Sequence, residues 1–207
     1  MGRRVPEVTL SPAMVFLTAF FLYLGYGNVW LTTLLAAAFH ECGHLAALGL
    51  AGVPVTALRI RMGGAVIVTP PMGYRQELLS AAAGPAASLL LAAVCWDAAE
   101  LAARISAGLL IFNLLPVYPM DGGRILRSAL ALRLEPSAVE RIVRTVGLAV
   151  GAAVMGFALW LAATGPEIWP MAAASALLLR TAVGEEKWPA GKLFFAAGCD
   201  TMGPEQR

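Results

Sequence analysis

The segment Phe39-His40-Glu41-Cys42-Gly43-His44-Leu45 holds the only two histidines of this 207-residue chain. On a helix, positions i and i+4 share a face, so His40 and His44 can both reach one metal ion. Glu41 projects about 100° around the helix from His40. There its carboxylate can act as general base toward a water beside that ion. The competing reading is a polar helix patch whose imidazoles are satisfied by backbone or water. Ionisable side chains in apolar surroundings are costly unless something coordinates them, which favours the metal. Cys42 is two positions beyond His40, faces away from the shared face, and is not counted as a ligand.

Two histidines do not complete a catalytic zinc site, which usually has three protein ligands and an open position. With no further histidine, the third ligand must be a carboxylate or a thiolate. The candidate is Asp121, within Asn113-Leu114-Leu115-Pro116-Val117-Tyr118-Pro119-Met120-Asp121-Gly122-Gly123-Arg124. Gly122-Gly123 lets the backbone turn sharply and bring the carboxyl to a partner helix. Taken alone, Asp121 serves equally well as N-cap of a helix starting near Arg124. The incomplete His-Glu-His set tips the reading toward a ligand.

These residues need elements to position them. The chain is 59% hydrophobic and 14% charged, against about 25% charged in soluble domains. Hydropathy predicts an all-α polytopic membrane protein of about six transmembrane helices. They fall near Pro12–Tyr26, Asn28–Leu50, Glu77–Trp96, from Ile105, Val143–Ala163 and Ile168–Val183. The basic start Met1-Gly2-Arg3-Arg4 could open a signal peptide, but no cleavage site follows promptly, and a retained span is expected. Between the second and third spans, Val55–Thr69 alternates around Gly63-Gly64 and predicts a small membrane-associated β-hairpin. An exposed edge strand there can pair with an extended peptide; the plain alternative is a connecting loop. The fourth span is broken by Pro116 and Pro119, and such backbone survives at membrane depth only if buried in protein or lining a wet cavity.

All Lys and Arg residues except Arg104 fall on or near one side of this layout. The positive-inside rule then places both termini in the cytoplasm, with the motif in the cytoplasmic half of the second span. Residues 1–183 form one membrane domain and 184–207 a short cytoplasmic tail. Cys42, Cys95 and Cys199 form no C-x-x-C pair and are read as free thiols. No repeat, low-complexity tract or nucleic-acid signature is present. The basic face Arg124, Arg127, Arg133, Arg141 and Arg144 is read as a topology-setting, anionic-lipid surface.

The H-E-x-x-H motif in a membrane helix, followed by N-x-x-P-x-x-P-x-D-G, resembles the site-2 intramembrane metalloproteases. The wording Phe112–Arg124 is most similar to the branch of the stage IV sporulation protease FB, and Ala83-Gly84-Pro85-Ala86-Ala87-Ser88 is similar to a further family pattern. The resemblance covers residues 30 to 130. It implies one zinc per chain on His40, His44 and Asp121, Glu41 as catalytic base, and Asn113 near the substrate. It also implies hydrolysis within or near a transmembrane segment of a membrane-tethered regulatory protein, of pro-sigma or anti-sigma type. Two departures stand out: no CBS domain is expected after the last span, and no stretch between the motifs is long enough for a PDZ domain. Regulation would fall to a separate inhibitor or membrane partner. Oligomeric state is not legible. The rival function is a non-proteolytic metal-binding membrane protein, a carrier or pseudoprotease. Retention of Glu41, and polar positions gathered at one site rather than strung along a path, favour the protease.

Overall fold

A computed structural model describes residues 7–61 and 64–164. A strand β1 (Glu7–Leu10) leads into α1 (Pro12–Tyr23) and α2 (Gly27–Leu50). Strands β2 (Ala57–Arg61) and β3 (Gly64–Val68) follow, then α3 (Tyr74–Val94), α4 (Glu100–Asn113), α5 (Asp121–Ala131) and α6 (Pro136–Thr164). Local chemistry marks the boundaries. Ser11 caps α1 by accepting from Met14 N at 3.3 Å, and Pro12 occupies the first turn, where no amide donor is needed. Gly73 N donates to Gln76 Oε1 at the start of α3, and Gln76 Nε2 donates to Ala51 O just past α2.

The expected hairpin is present: β2 and β3 pair antiparallel, from Ala57↔Val68 to Arg61↔Gly64. The sheet has a further strand that hydropathy concealed, because β1 pairs parallel to β2 from Glu7↔Ala57 to Leu10↔Ile60. The order β1-β2-β3 leaves β3 at an edge. The core is rich in small residues, among them Ala36, Ala81, Ala92 and Ala103, beside Leu48, Val117, Val139 and Val143, while Phe16, Leu35, Leu50 and Ile111 point outward. Small residues let helix backbones approach closely where apolar surroundings provide no drive to bury large side chains.

The six-span layout does not hold. Among the described residues, six helices are present, but only Gly27–Leu50 and Tyr74–Val94 are long and apolar enough to cross a membrane. The fold is therefore all-α with a small sheet, and the multi-pass topology with both termini cytoplasmic falls with the span count. The physical reason lies in the breaks. A span needs about 20 helical residues, and α1 stops after 12 and α4 after 14. The expected fourth span gives way at Leu114, and its continuation is a separate 11-residue helix, α5. The helix covering the expected fifth span, α6, begins at Pro136 and is not one of those two candidate spans. The sixth span, Ile168–Val183, and the 184–207 tail lie outside the described residues.

Candidate metal centre

Helix α2 carries His40 and His44 on its buried face, with exposures of 4% and 5%. Asp121, the first residue of α5, meets them. Its Oδ2 is 3.0 Å from His40 Nε2 and 3.2 Å from His44 Nε2, and the two Nε2 atoms are 3.1 Å apart. The three residues form a cluster able to hold a metal ion. Donor atoms about 2.0–2.1 Å from a tetrahedral ion stand roughly 3.3–3.4 Å apart, close to this triangle.

The tautomers agree with that reading. His44 Nδ1 lies 2.7 Å from the Ser80 carbonyl, which can only accept, so Nδ1 carries the hydrogen and the Nε2 lone pair faces Asp121. His40 Nδ1 lies 2.8 Å from Ser88 Oγ. When it donates there, two imidazole lone pairs and a carboxylate oxygen face one another with no hydrogen to share. A divalent cation relieves that convergence, and the donor set suits zinc.

Packing explains why these atoms meet. Ser80, Gly84 and Ser88 are four residues apart and share one face of α3. A Cβ on Gly84 would collide with Nε2 of both histidines, so only glycine leaves room for the imidazoles. On α5, a Cβ on Gly122 would strike the carbonyls of Leu114 and Leu115. That close approach folds the 114–120 segment against the helix start and presents Asp121 inward. Met120 is the N-cap residue and makes no side-chain cap bond, so Asp121 is not the cap that its sequence position equally allowed. Arg124 Nη1 lies 3.4 Å from Asp121 Oδ1, and a guanidinium that close favours the charged form of the carboxyl. Asp121 is thus held as a carboxylate, the form a metal requires.

Glu41 lies beside this cluster on the wall of a cavity of about 840 Å³, which β3 and the segment 69–72 also line. Asn113 lines the same cavity, with its Nδ2 donating to Leu109 O at 2.9 Å. Cys42 is exposed, away from the buried histidine face. Sequence reasoning brought His40, Glu41, His44, Asn113 and Asp121 to one cavity. It missed Ser80, Gly84 and Ser88 as the histidines' supports. Their four-residue spacing was the signal available.

The family model for peptidase family M50 matches residues 95–154, the part of the chain that includes Asp121. The structure is similar to the site-2 protease from Methanocaldococcus jannaschii, with a TM-score of 0.63 and 20% sequence identity. The match covers 86% of this chain and 91% of that one. At that identity the likeness establishes a shared fold. No curated protein matches the sequence.

Proposed function

We propose that this chain is an intramembrane zinc metalloendopeptidase that hydrolyses a peptide bond in a membrane-tethered protein. The observation that carries the reading is the convergence of His40 Nε2, His44 Nε2 and Asp121 Oδ2 within 3.2 Å, on a cavity wall shared with Glu41. The shared fold and the family match support it. His40, His44 and Asp121 would hold one zinc per chain, and zinc supplies Lewis acidity that makes water nucleophilic near neutral pH and polarises a carbonyl. A Glu41 carboxylate oxygen takes the proton from the attacking water and returns it to the nitrogen of the departing chain. Asn113 uses one Nδ2 hydrogen on Leu109 O. An amide nitrogen carries two, so the second is free for the oxygen that gains charge during attack.

A peptide bond inside a helix is shielded, so the substrate must be extended to be cut. The edge strand β3, running along the cavity, offers backbone groups for that purpose by strand addition. The likeness of Phe112–Arg124 to the sporulation-protease branch favours a pro-sigma type of substrate, and the likeness to the wider site-2 family an anti-sigma type. The deciding experiment measures zinc content and cleavage of a membrane-tethered pro-protein by wild type and Glu41→Gln. One bound zinc in both, with cleavage by wild type alone, is expected. Cleavage by Glu41→Gln at the wild-type rate would remove Glu41 as the base, and a chain that binds zinc but cuts nothing would be a metal-binding protein only.

A further inference from the structure

The charged residues on the cavity wall are not confined to the metal centre. Glu77, in the first turn of α3, faces Arg124 and Arg127 of α5. Arg127 Nη1 is 3.5 Å from both Glu77 oxygens, and Arg124 Nε is 3.9 Å from Oε1. The other end of the Arg124 guanidinium, Nη1, is 3.4 Å from Asp121 Oδ1. That is the carboxylate oxygen not engaged by the imidazoles. The side chains of Glu77 and Arg127 are only 13% and 14% exposed.

These contacts close a ring. Ser80 O holds His44, His44 meets Asp121, Asp121 meets Arg124, and Arg124 meets Glu77. Glu77 and Ser80 are three residues apart on one side of α3. The imidazoles are fixed by α2 and α3 alone, whereas the third ligand arrives on α5 after an irregular segment. Its position relative to the imidazoles therefore depends on what ties α5 to α3. Resting on the metal-centre reading above, we propose that Glu77 is a positioning residue. With Arg124 and Arg127 it forms an ionic strap that holds the Asp121 helix against the helix supporting the histidines, and so sets the affinity of the site for a divalent cation. The side chains of Glu77, Arg127 and Arg124 are largely covered, so removing Glu77 takes a counter-charge from partly buried arginines and the strap differs from a fully exposed surface pair.

The test is zinc affinity of the full-length, detergent-solubilised protein after metal stripping, measured by chelator competition. The set is wild type, Glu77→Gln, Glu77→Asp, Arg127→Gln and the Glu77→Gln/Arg127→Gln double variant. Thermal unfolding of the metal-free forms is followed in parallel. Loss of a partner bonded directly to a ligand lowers metal affinity about 10–100-fold. Glu77 acts one contact further out, through Arg124, so the fall expected for Glu77→Gln is at the lower end, about 10-fold. Glu77→Asp, which keeps the charge, should recover part of it. Arg127→Gln added to Glu77→Gln should cost less than the product of the two single effects, because both act through one contact. If Glu77→Gln proves unable to fold, Glu77→Asp and Arg127→Gln carry the test, each with a smaller fall. Wild-type affinity in the substituted proteins, or effects that multiply in the double variant, would overturn the strap while leaving the metal reading intact. Failure of the wild type itself to bind zinc would overturn both.

Discussion

Gly84→Ala adds one methyl group on an α-helix, and at most helical positions that is beneficial by about 1 kcal/mol. Here the added Cβ would lie 2.7 Å from His40 Nε2 and nearer still to Nε2 and Cε1 of His44. Ordinary separation between non-bonded carbon and its neighbours is about 3.5–4.0 Å, so the imidazoles must retreat by roughly 1 Å. Metal–ligand distances tolerate about 0.2 Å. Helix α2 cannot back away intact, because Nδ1 of each ring is held on α3 by Ser80 O or Ser88 Oγ. The expected outcome is loss of zinc binding and of cleavage, with helical content retained. Overpacking of this kind costs about 1–3 kcal/mol, which the metal-free protein should show as lowered thermal stability. Gly108→Ala is the matched control: it lies within α4, and a Cβ there meets nothing within 4 Å. It should keep full zinc content with unchanged or raised stability. Zinc content by metal analysis and circular dichroism on the two variants decide the matter. One zinc at wild-type affinity in Gly84→Ala would refute the claim that glycine is required to seat the rings.

Ser88→Ala removes the partner of His40 Nδ1 at a position 1% exposed, and zinc affinity measured by chelator competition should fall about 10–100-fold. Ser106→Ala is its control, since Ser106 Oγ is buried without a hydrogen-bond partner among the described residues and its removal should leave zinc affinity unchanged. Val66→Pro, in the middle of edge strand β3 opposite Arg59, should suppress cleavage of a membrane-tethered substrate while zinc content stays at the wild-type level. Unaltered cleavage by this variant would dispose of strand addition as the mode of substrate binding.

How much of this was legible depends on the range of the interaction concerned. The histidine pair needs only helical spacing, and the hairpin only two alternating runs around a glycine pair, so both could be read locally. Asp121 was reachable by elimination, because the motif lacked a ligand and a broken apolar segment contained an acid. The membrane layout was misread because hydropathy counts apolar residues without regard to helix continuity. The apolar stretch from Pro12 onward is interrupted at Gly25, where φ is +80°, and the stretch from Ile105 stops helically at Asn113. Strand β1 was invisible for another reason. Its four residues pair with a strand some fifty positions later, and no turn between them announces the partnership. Ser80, Gly84 and Ser88 were present as a four-residue spacing of small residues, whose meaning depended on knowing that α3 packs on the histidine face.

The pattern of charge ties these parts to one chemistry. Asp121 and Glu41 place two carboxylates at the cavity wall beside two imidazoles. At least His44 is held as the tautomer whose free lone pair points into the cluster. A divalent cation balances two carboxylates, and its preferred ligands are carboxylate oxygen and imidazole nitrogen. Arg124, which might otherwise compete for Asp121, approaches Oδ1 and leaves Oδ2 to the imidazoles, while Glu77 draws the remaining cationic charge toward α3. The arginines thus neutralise the outer side of the ligand without occupying its inner side. Replacing Asp121 by a neutral residue would remove a donor, and it would also leave Arg124 without the carboxylate that links it to the centre. For that reason the third ligand and the strap that places it have to be understood together.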